Sequence, residues 1–230
     1  MPASSDVELR DRALVAFILL TGARDSAVAS MKLKHVDLVD EKVYQDAREV
    51  DTKNSKTFST YFFPVGEEVK AIVVEWVNFL RRERLWGNDD PLFPATATVV
   101  GADGQFRADG LKREHWRSAD PVRGVFRRAF EAAGLPYFNP HSLRKTLVQL
   151  GQQLCRTPED FKSWSQNLGH DGVLTTFSSY GAVASSRQRE IIRGLDKRPV
   201  EGPLSANELA RALARELRSL DADRGASARS

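Results

Sequence analysis

The chain has 230 residues, 41% of them hydrophobic, enough for one large domain or two small ones with a filled core. No apolar run reaches the roughly 18–20 residues that cross a bilayer, and no apolar segment follows a basic start, so neither a membrane span nor a secretory signal is predicted. A single cysteine, Cys155, excludes an intrachain disulfide and suits a reducing cytoplasm, while a formal charge of +3 with local clusters at LKREHWR and VRGVFRR leans toward a polyanionic partner.

Taken in chain order, residues 7–20 contain the run ALVAFILL and read as a buried helix. TGARDS follows, with Asp25 or Ser26 as the cap of a second helix reaching about Leu33. Residues 36–63 change character: KVYQDAREV and TFSTYFF are β-rich, the polar stretch DTKNSK separates them, and a hairpin or three-stranded meander is predicted. Val69, Ile72, Val73, Trp76, Val77 and Leu80 then recur at helical spacing. Residues 86–116 show Gly, Pro and Asp without a period and read as a long irregular loop.

Asp120-Pro121 opens a helix whose apolar face is Val122, Val125, Phe126, Ala129 and Phe130, with Gly134 able to end it. Pro140 opens the next helix. Thr157-Pro158-Glu159-Asp160 starts another, with Phe161, Trp164 and Leu168 inward and Gly169 as its stop. After a Pro/Gly-containing linker, Ser205 to Glu208 has the form of a capping box for a last helix, about 205–220, striped by Leu209, Leu213, Leu217 and Leu220. The final residues read as a disordered tail. The fold class is mainly α with a small antiparallel β-sheet, α+β. The expected organisation is a domain over 1–196 followed by linker, helix and tail over 197–230.

One stretch carries unusual chemistry. In NPHSLRKT, His141 and Arg144 stand three apart on the first turn of a helix, so one face presents both. The first-turn N–H groups are unpaired and sit at the positive end of the dipole. A histidine moves protons near neutral pH, and an arginine grips a phosphate with two parallel hydrogen bonds. Four further elements follow the same theme. Arg24 lies between two helices, Lys53 and Lys56 in a hairpin turn, His170 after a helix stop in NLGHDG, and Tyr180 ten residues later.

That order, Arg, Lys, His-x-x-Arg, Leu-Gly-His and Tyr, resembles the catalytic domain of the tyrosine recombinases, or phage integrases, from about residue 7 to 195. PLFP at 91–94 is similar to the family segment after the third long helix. The resemblance implies the DNA breaking–rejoining catalytic-domain fold and a site-specific recombinase that integrates or excises a mobile element. Arg24 and Arg144 would clamp the scissile phosphate. Tyr180 would attack it and form a 3′-phosphotyrosine, His141 would help remove the tyrosine proton, and His170 would hydrogen-bond a non-bridging oxygen. Lys53 would protonate the leaving 5′ oxygen, with Lys56 as its competitor.

No metal or other cofactor is expected, because arginines supply the cations. His35, His115, His141, His170 and Cys155 show no zinc-like spacing. The resemblance implies double-stranded DNA as the partner, engaged by a tetramer through the C-terminal helix, and the expected location is the cytoplasm, without a membrane. Type IB topoisomerase-like relaxation and a non-catalytic DNA-binding remnant are the alternatives.

Three features depart from the family pattern. Ala27 stands where an acidic residue is usual, with Asp25 expected to point elsewhere. The spacing from His170 to Tyr180 is one residue longer than the family's. No N-terminal DNA-binding domain is visible, as expected of a fragment of a longer protein.

Overall fold

A computed structural model describes residue 1 and residues 3–170. Tyr180, the linker, the helix expected at 205–220, the tail and the domain boundary at 196 lie outside them.

Helix α1 (Asp6–Thr21) begins at a capping box in which the Ser5 side chain accepts from Glu8 N–H while Glu8 reaches back. It is apolar nearly all round, and Ala13, Leu14, Phe17, Ile18 and Leu20 are fully buried, so it forms the axis of the core. Its charged pair, Arg10 and Asp11, is buried as well. Arg10 donates to Pro94 O and Thr96 Oγ1, both at 2.9 Å, and Asp11 also accepts from Arg128 at 2.8 Å. Burial lowers the affinity of Arg10 for its proton, and Asp11 opposes that loss.

Helix α2 (Asp25–Ser30) is shorter than its predicted run to Leu33, and Arg24 rather than Asp25 or Ser26 is its N-cap. Leu33 instead starts a 3-10 turn, Leu33–His35, that leads into the sheet. Strands β1 (Val36–Asp37), β2 (Lys42–Gln45) and β3 (Phe58–Tyr61) form the meander, antiparallel in the order β1-β2-β3, with Val36 opposite Val43 and Val43 opposite Thr60.

Helix α3 (Glu67–Asn78), extended by a π-helical turn at Phe79–Glu83, lies against α1. Trp76 donates its indole N–H to Leu92 O at 2.9 Å. Phe93 meets Phe17 edge-on with 5.3 Å between ring centroids, and PLFP is thereby packed into the core.

The stretch predicted as an irregular loop holds a second antiparallel hairpin, β4 (Ala95–Val100) and β5 (Phe106–Lys112), closed by a turn in which Gly104 has φ 74°. Its β-branched run, ATATVV, was a strand signal. The hairpin projects with most of its residues exposed, so neither face needs to be apolar and no period of two is written into it.

Helix α4 (Asp120–Ala132) packs Val122, Val125 and Phe126 into the core. Helices α5 (His141–Leu154) and α6 (Pro158–Asn167) build a second cluster of Phe63, Leu147, Val148 and Leu168. α6 starts at the predicted Thr157–Asp160 capping box and stops at Gly169, φ 68°. Trp164 and Leu168 face inward as expected, whereas Phe161 is half-buried and outside that cluster.

Close approach of α5 and α6 depends on Gly151. A Cβ there would lie 2.6–2.7 Å from the indole of Trp164, whose N–H donates to Leu147 O at 3.0 Å. Gly151→Ala gains about 1 kcal/mol of helix propensity. Overpacking against a rigid ring costs about 1–3 kcal/mol, and the strained indole hydrogen bond adds about 1. The clash wins: the variant is expected to lower the midpoint of denaturant unfolding by the equivalent of about 1–3 kcal/mol at an unchanged slope.

Candidate active site

α1 ends at Gly22, whose φ of 63° makes it a left-handed cap and turns the chain toward Arg24. Space as well as φ demands glycine there, since a Cβ would meet Leu147 Cδ1 at 3.0 Å and Leu168 Cδ2 at 3.1 Å. Arg24 follows in extended conformation, half-buried.

α5 starts at Pro140, with Ser142 N–H held by the side-chain oxygen of Asn139 at 3.2 Å. His141 is the first helical residue and Arg144 lies one turn in. Arg144 is 4% exposed, yet no carboxylate among the described residues faces it. Its Nη1 donates to Gly22 O at 2.5 Å and its Nη2 to Leu168 O at 2.6 Å. Nη2 also lies 3.1 Å from His170 Nε2. Since a guanidinium only donates, His170 accepts through Nε2, and a neutral ring then carries its proton on Nδ1. The Nε of Arg144 is buried and has no hydrogen-bond partner among the described residues. Burial, with Arg24 adding to it, pulls Arg144 down to about 10, which leaves it charged at neutral pH.

His170 follows the Gly169 stop of α6, which sits against Phe58 of β3; a Cβ on Gly169 would come within 2.6 Å of that ring. Lys53 is exposed in a 3-10 turn, Lys53–Ser55, where Asn54 and Ser55 both take positive φ, 59° and 51°. The Lys53 ammonium makes no hydrogen bond or ion pair among the described residues.

Arg24, Lys53, Lys56 and His170 converge on one cleft of about 450 Å3, completed by Asn54, Phe58 and Gly169, and none of these described lining residues is acidic. Arg144 reaches this cleft through His170. His141 lies beside it electrostatically. It keeps an exposed edge, and the burial of the rest of its ring, then Arg144, Arg24 and Lys145, favour its neutral form against the opposing pull of Asp25. Five of the six predicted side chains are therefore gathered around one cationic region, and the sixth, Tyr180, lies outside the described residues. Both lysines line the cleft.

Two features escaped the sequence reading. Asn54 and Phe58 shape the cleft with no motif to mark them. The partner of Asp25 is the other: it accepts from Arg123 Nε of α4 at 2.8 Å, across 98 positions. Ala27 is 1% exposed in the core.

Helices around a small meander, with a cationic cleft between helix ends and a hairpin turn, define a tyrosine recombinase catalytic-domain fold. Among solved structures, XerA recombinase is similar at 22% identity and TM-score 0.52, covering 84% of this chain and 58% of that one. XerH site-specific recombinase, in a post-cleavage complex with its palindromic difH substrate, is similar at 18% identity and TM-score 0.52, covering 86% and 48%. The chain thus spans about half the length of the solved recombinases it matches. No curated protein sequence matches it. Residues 1–187 match the phage integrase family, and the chain belongs to that family.

Because Arg144 satisfies two buried carbonyls at once, a lysine in its place can reach only one. An unmet buried acceptor costs about 1–3 kcal/mol. Arg144→Lys is expected to lower unfolding free energy by about that amount, read from the denaturant midpoint, before any effect on activity is counted.

Proposed function

We propose that the cleft takes a DNA phosphodiester and that the chain is the catalytic part of a site-specific recombinase, breaking and rejoining strands to integrate or excise a mobile element. The observation that carries this reading is the convergence of Arg24, Lys53, Lys56 and His170 on one cleft. A cluster of positive and hydrogen-bonding groups drawn from distant segments fits a bound phosphate.

Tyr180 Oη attacks the phosphorus as the P–O5′ bond breaks, giving a 3′-phosphotyrosine and a 5′-hydroxyl. His141, favoured in its neutral form, takes the tyrosine proton. A free tyrosine is only about 0.1% ionised at pH 7, so this help matters. Arg24 and Arg144 clamp the phosphate, and His170 hydrogen-bonds to a non-bridging oxygen. Lys53 gives its proton to the leaving 5′ oxygen. We favour it over Lys56 because it is exposed and unengaged. Attack by the 5′-hydroxyl of another strand reverses each step and completes exchange. Two duplexes need four such sites, so the proposed assembly is a tetramer on double-stranded DNA in the cytoplasm. No helix among the described residues is long and apolar enough to cross a membrane.

Incubation with supercoiled plasmid, stopped by detergent, should give a covalent protein–DNA adduct that Tyr180→Phe abolishes. Relaxed circles without strand exchange between two sites would instead mark a topoisomerase-like enzyme. DNA binding with no adduct would mark a non-catalytic remnant and refute the proposal.

A second expectation separates the lysines. Lys53→Ala should slow cleavage by about 100-fold or more, within the range of general acid catalysis. A substrate with sulfur at the 5′ bridging position, whose thiolate leaves without a proton, should restore cleavage. Lys56→Ala should show no such rescue.

A further inference from the structure

Arg24 and Lys53 reach the cleft from separate segments of the chain, and the backbone of one residue joins them. Asp51, just before Lys53 in sequence, has both of its main-chain groups bonded to α2. Its N–H donates to Ser30 Oγ at 2.9 Å, and its carbonyl accepts from Ser26 Oγ at 3.1 Å. Ser26 and Ser30 stand one turn apart, so one face of α2 presents both hydroxyls. Ser26 in turn follows closely on Arg24. The clasp therefore sits beside each of the two side chains that it spaces.

The direction of each bond is fixed. An amide N–H can only donate, so Ser30 Oγ accepts it and gives its own proton back to the helix, to Ala27 O at 3.1 Å. A carbonyl can only accept, so the Ser26 hydroxyl is spent on Asp51. Ser26 thus does not cap α2, the role its place in TGARDS suggests, and α2 starts without a side-chain cap.

Both bonds lie near the surface, where water competes for the same groups, so they add little to global stability. What they constrain is local. Val50 is 2% exposed and anchors the chain before Asp51. After Asp51 the turn bends through Asn54 and Ser55 at φ 59° and 51°, a conformation that non-glycine residues hold only where their surroundings impose it. At the far end Thr57 Oγ1 accepts Ala47 N–H at 3.0 Å and closes the loop. Without the clasp, the segment from Val50 to Thr57 would be free to pivot and carry Lys53 with it.

We propose that Ser26 and Ser30 are positioning residues: by clasping Asp51 they set the span between Arg24 and Lys53 across the cleft, so that the lysine meets the leaving 5′ oxygen of a phosphate held by the arginine. This rests on the functional reading above.

Hydrogen exchange on the full chain, without DNA, tests the clasp itself. Ser30→Ala removes the acceptor of the Asp51 amide, whose exchange should speed up about 10-fold or more, while the amides that pair β2 with β3 keep their rates. Ser30→Thr keeps the hydroxyl and should restore protection. An unmoved Asp51 amide in Ser30→Ala overturns the proposal.

DNA cleavage tests the role. On an ordinary substrate the double variant Ser26→Ala, Ser30→Ala should be slower by about 10–100-fold, the scale of a misplaced reacting group. With sulfur at the 5′ bridging position the leaving thiolate needs no proton, and the same variant should cut as wild type does. In a Lys53→Ala background the two serine substitutions should cost nothing more, because the group they place is gone. A wild-type rate on the ordinary substrate, an equal loss on both substrates, or a loss that adds in full to that of Lys53→Ala overturns the positioning role. If wild-type protein cuts neither substrate, or if sulfur does not rescue Lys53→Ala, the functional reading fails and the catalytic role with it. The exchange result then decides whether the clasp stands as a feature of the fold alone.

Discussion

A buried guanidinium held by backbone carbonyls, without a carboxylate partner among the described residues, is the constraint on which the site depends. Arg144 is held by the carbonyls of Gly22 and Leu168, the groups that cap the C-terminal ends of α1 and α6. Helix C-termini carry partial negative charge, so these carbonyls offset part of the cost of burying a cation. They do so without neutralising it. An acid in their place would stabilise the arginine more and leave less attraction for a phosphate. The same two bonds fix the relative placement of three helices, and through Nη2 they also bring His170 to the guanidinium.

The rest of the architecture serves that junction. α1 is buried on nearly every side, so its end at Gly22 cannot drift. The α5–α6 cluster of Leu147, Val148 and Leu168 sits directly behind the arginine, and it is Leu147 and Leu168 that leave no room for a side chain at Gly22. Phe58 presses against Gly169, which ties the sheet to the end of α6 and brings the Lys53 turn to the same cleft as His170. A cluster of like charges has an electrostatic cost, and here it is borne by packing that holds each group from behind.

How much of this was legible in the sequence follows from where each signal is stored. α1, α3, α4 and α5 announce themselves because each carries an apolar face or a start signal within its own residues. The Thr157–Asp160 box fixes the start of α6 for the same reason. His141 and Arg144 are readable as a pair because the helix period puts them on one face. The β4–β5 hairpin was not readable as such: it projects into solvent, and without a buried face its strands need no alternation. The length of α2 was missed because its end is set by the pairing of Met31 and Lys32 with the PLFP segment, a contact some sixty residues away. Ion pairs such as Asp25–Arg123 are invisible for that reason too, since nothing local to Asp25 names its partner.

The two arginines of the cleft divide the work in a way their motifs do not reveal. Arg144 spends Nη1 and Nη2 on the fold and keeps one buried donor, Nε, without a partner among the described residues. Arg24 is half-buried at a helix start and lines the cleft directly. A group locked by two backbone carbonyls cannot follow a phosphate as it moves from tetrahedral to trigonal-bipyramidal geometry. In the proposed reaction it can only define where the phosphate begins. Arg24, with its side chain in the cleft, is in that reading the better placed to follow the charge as it develops.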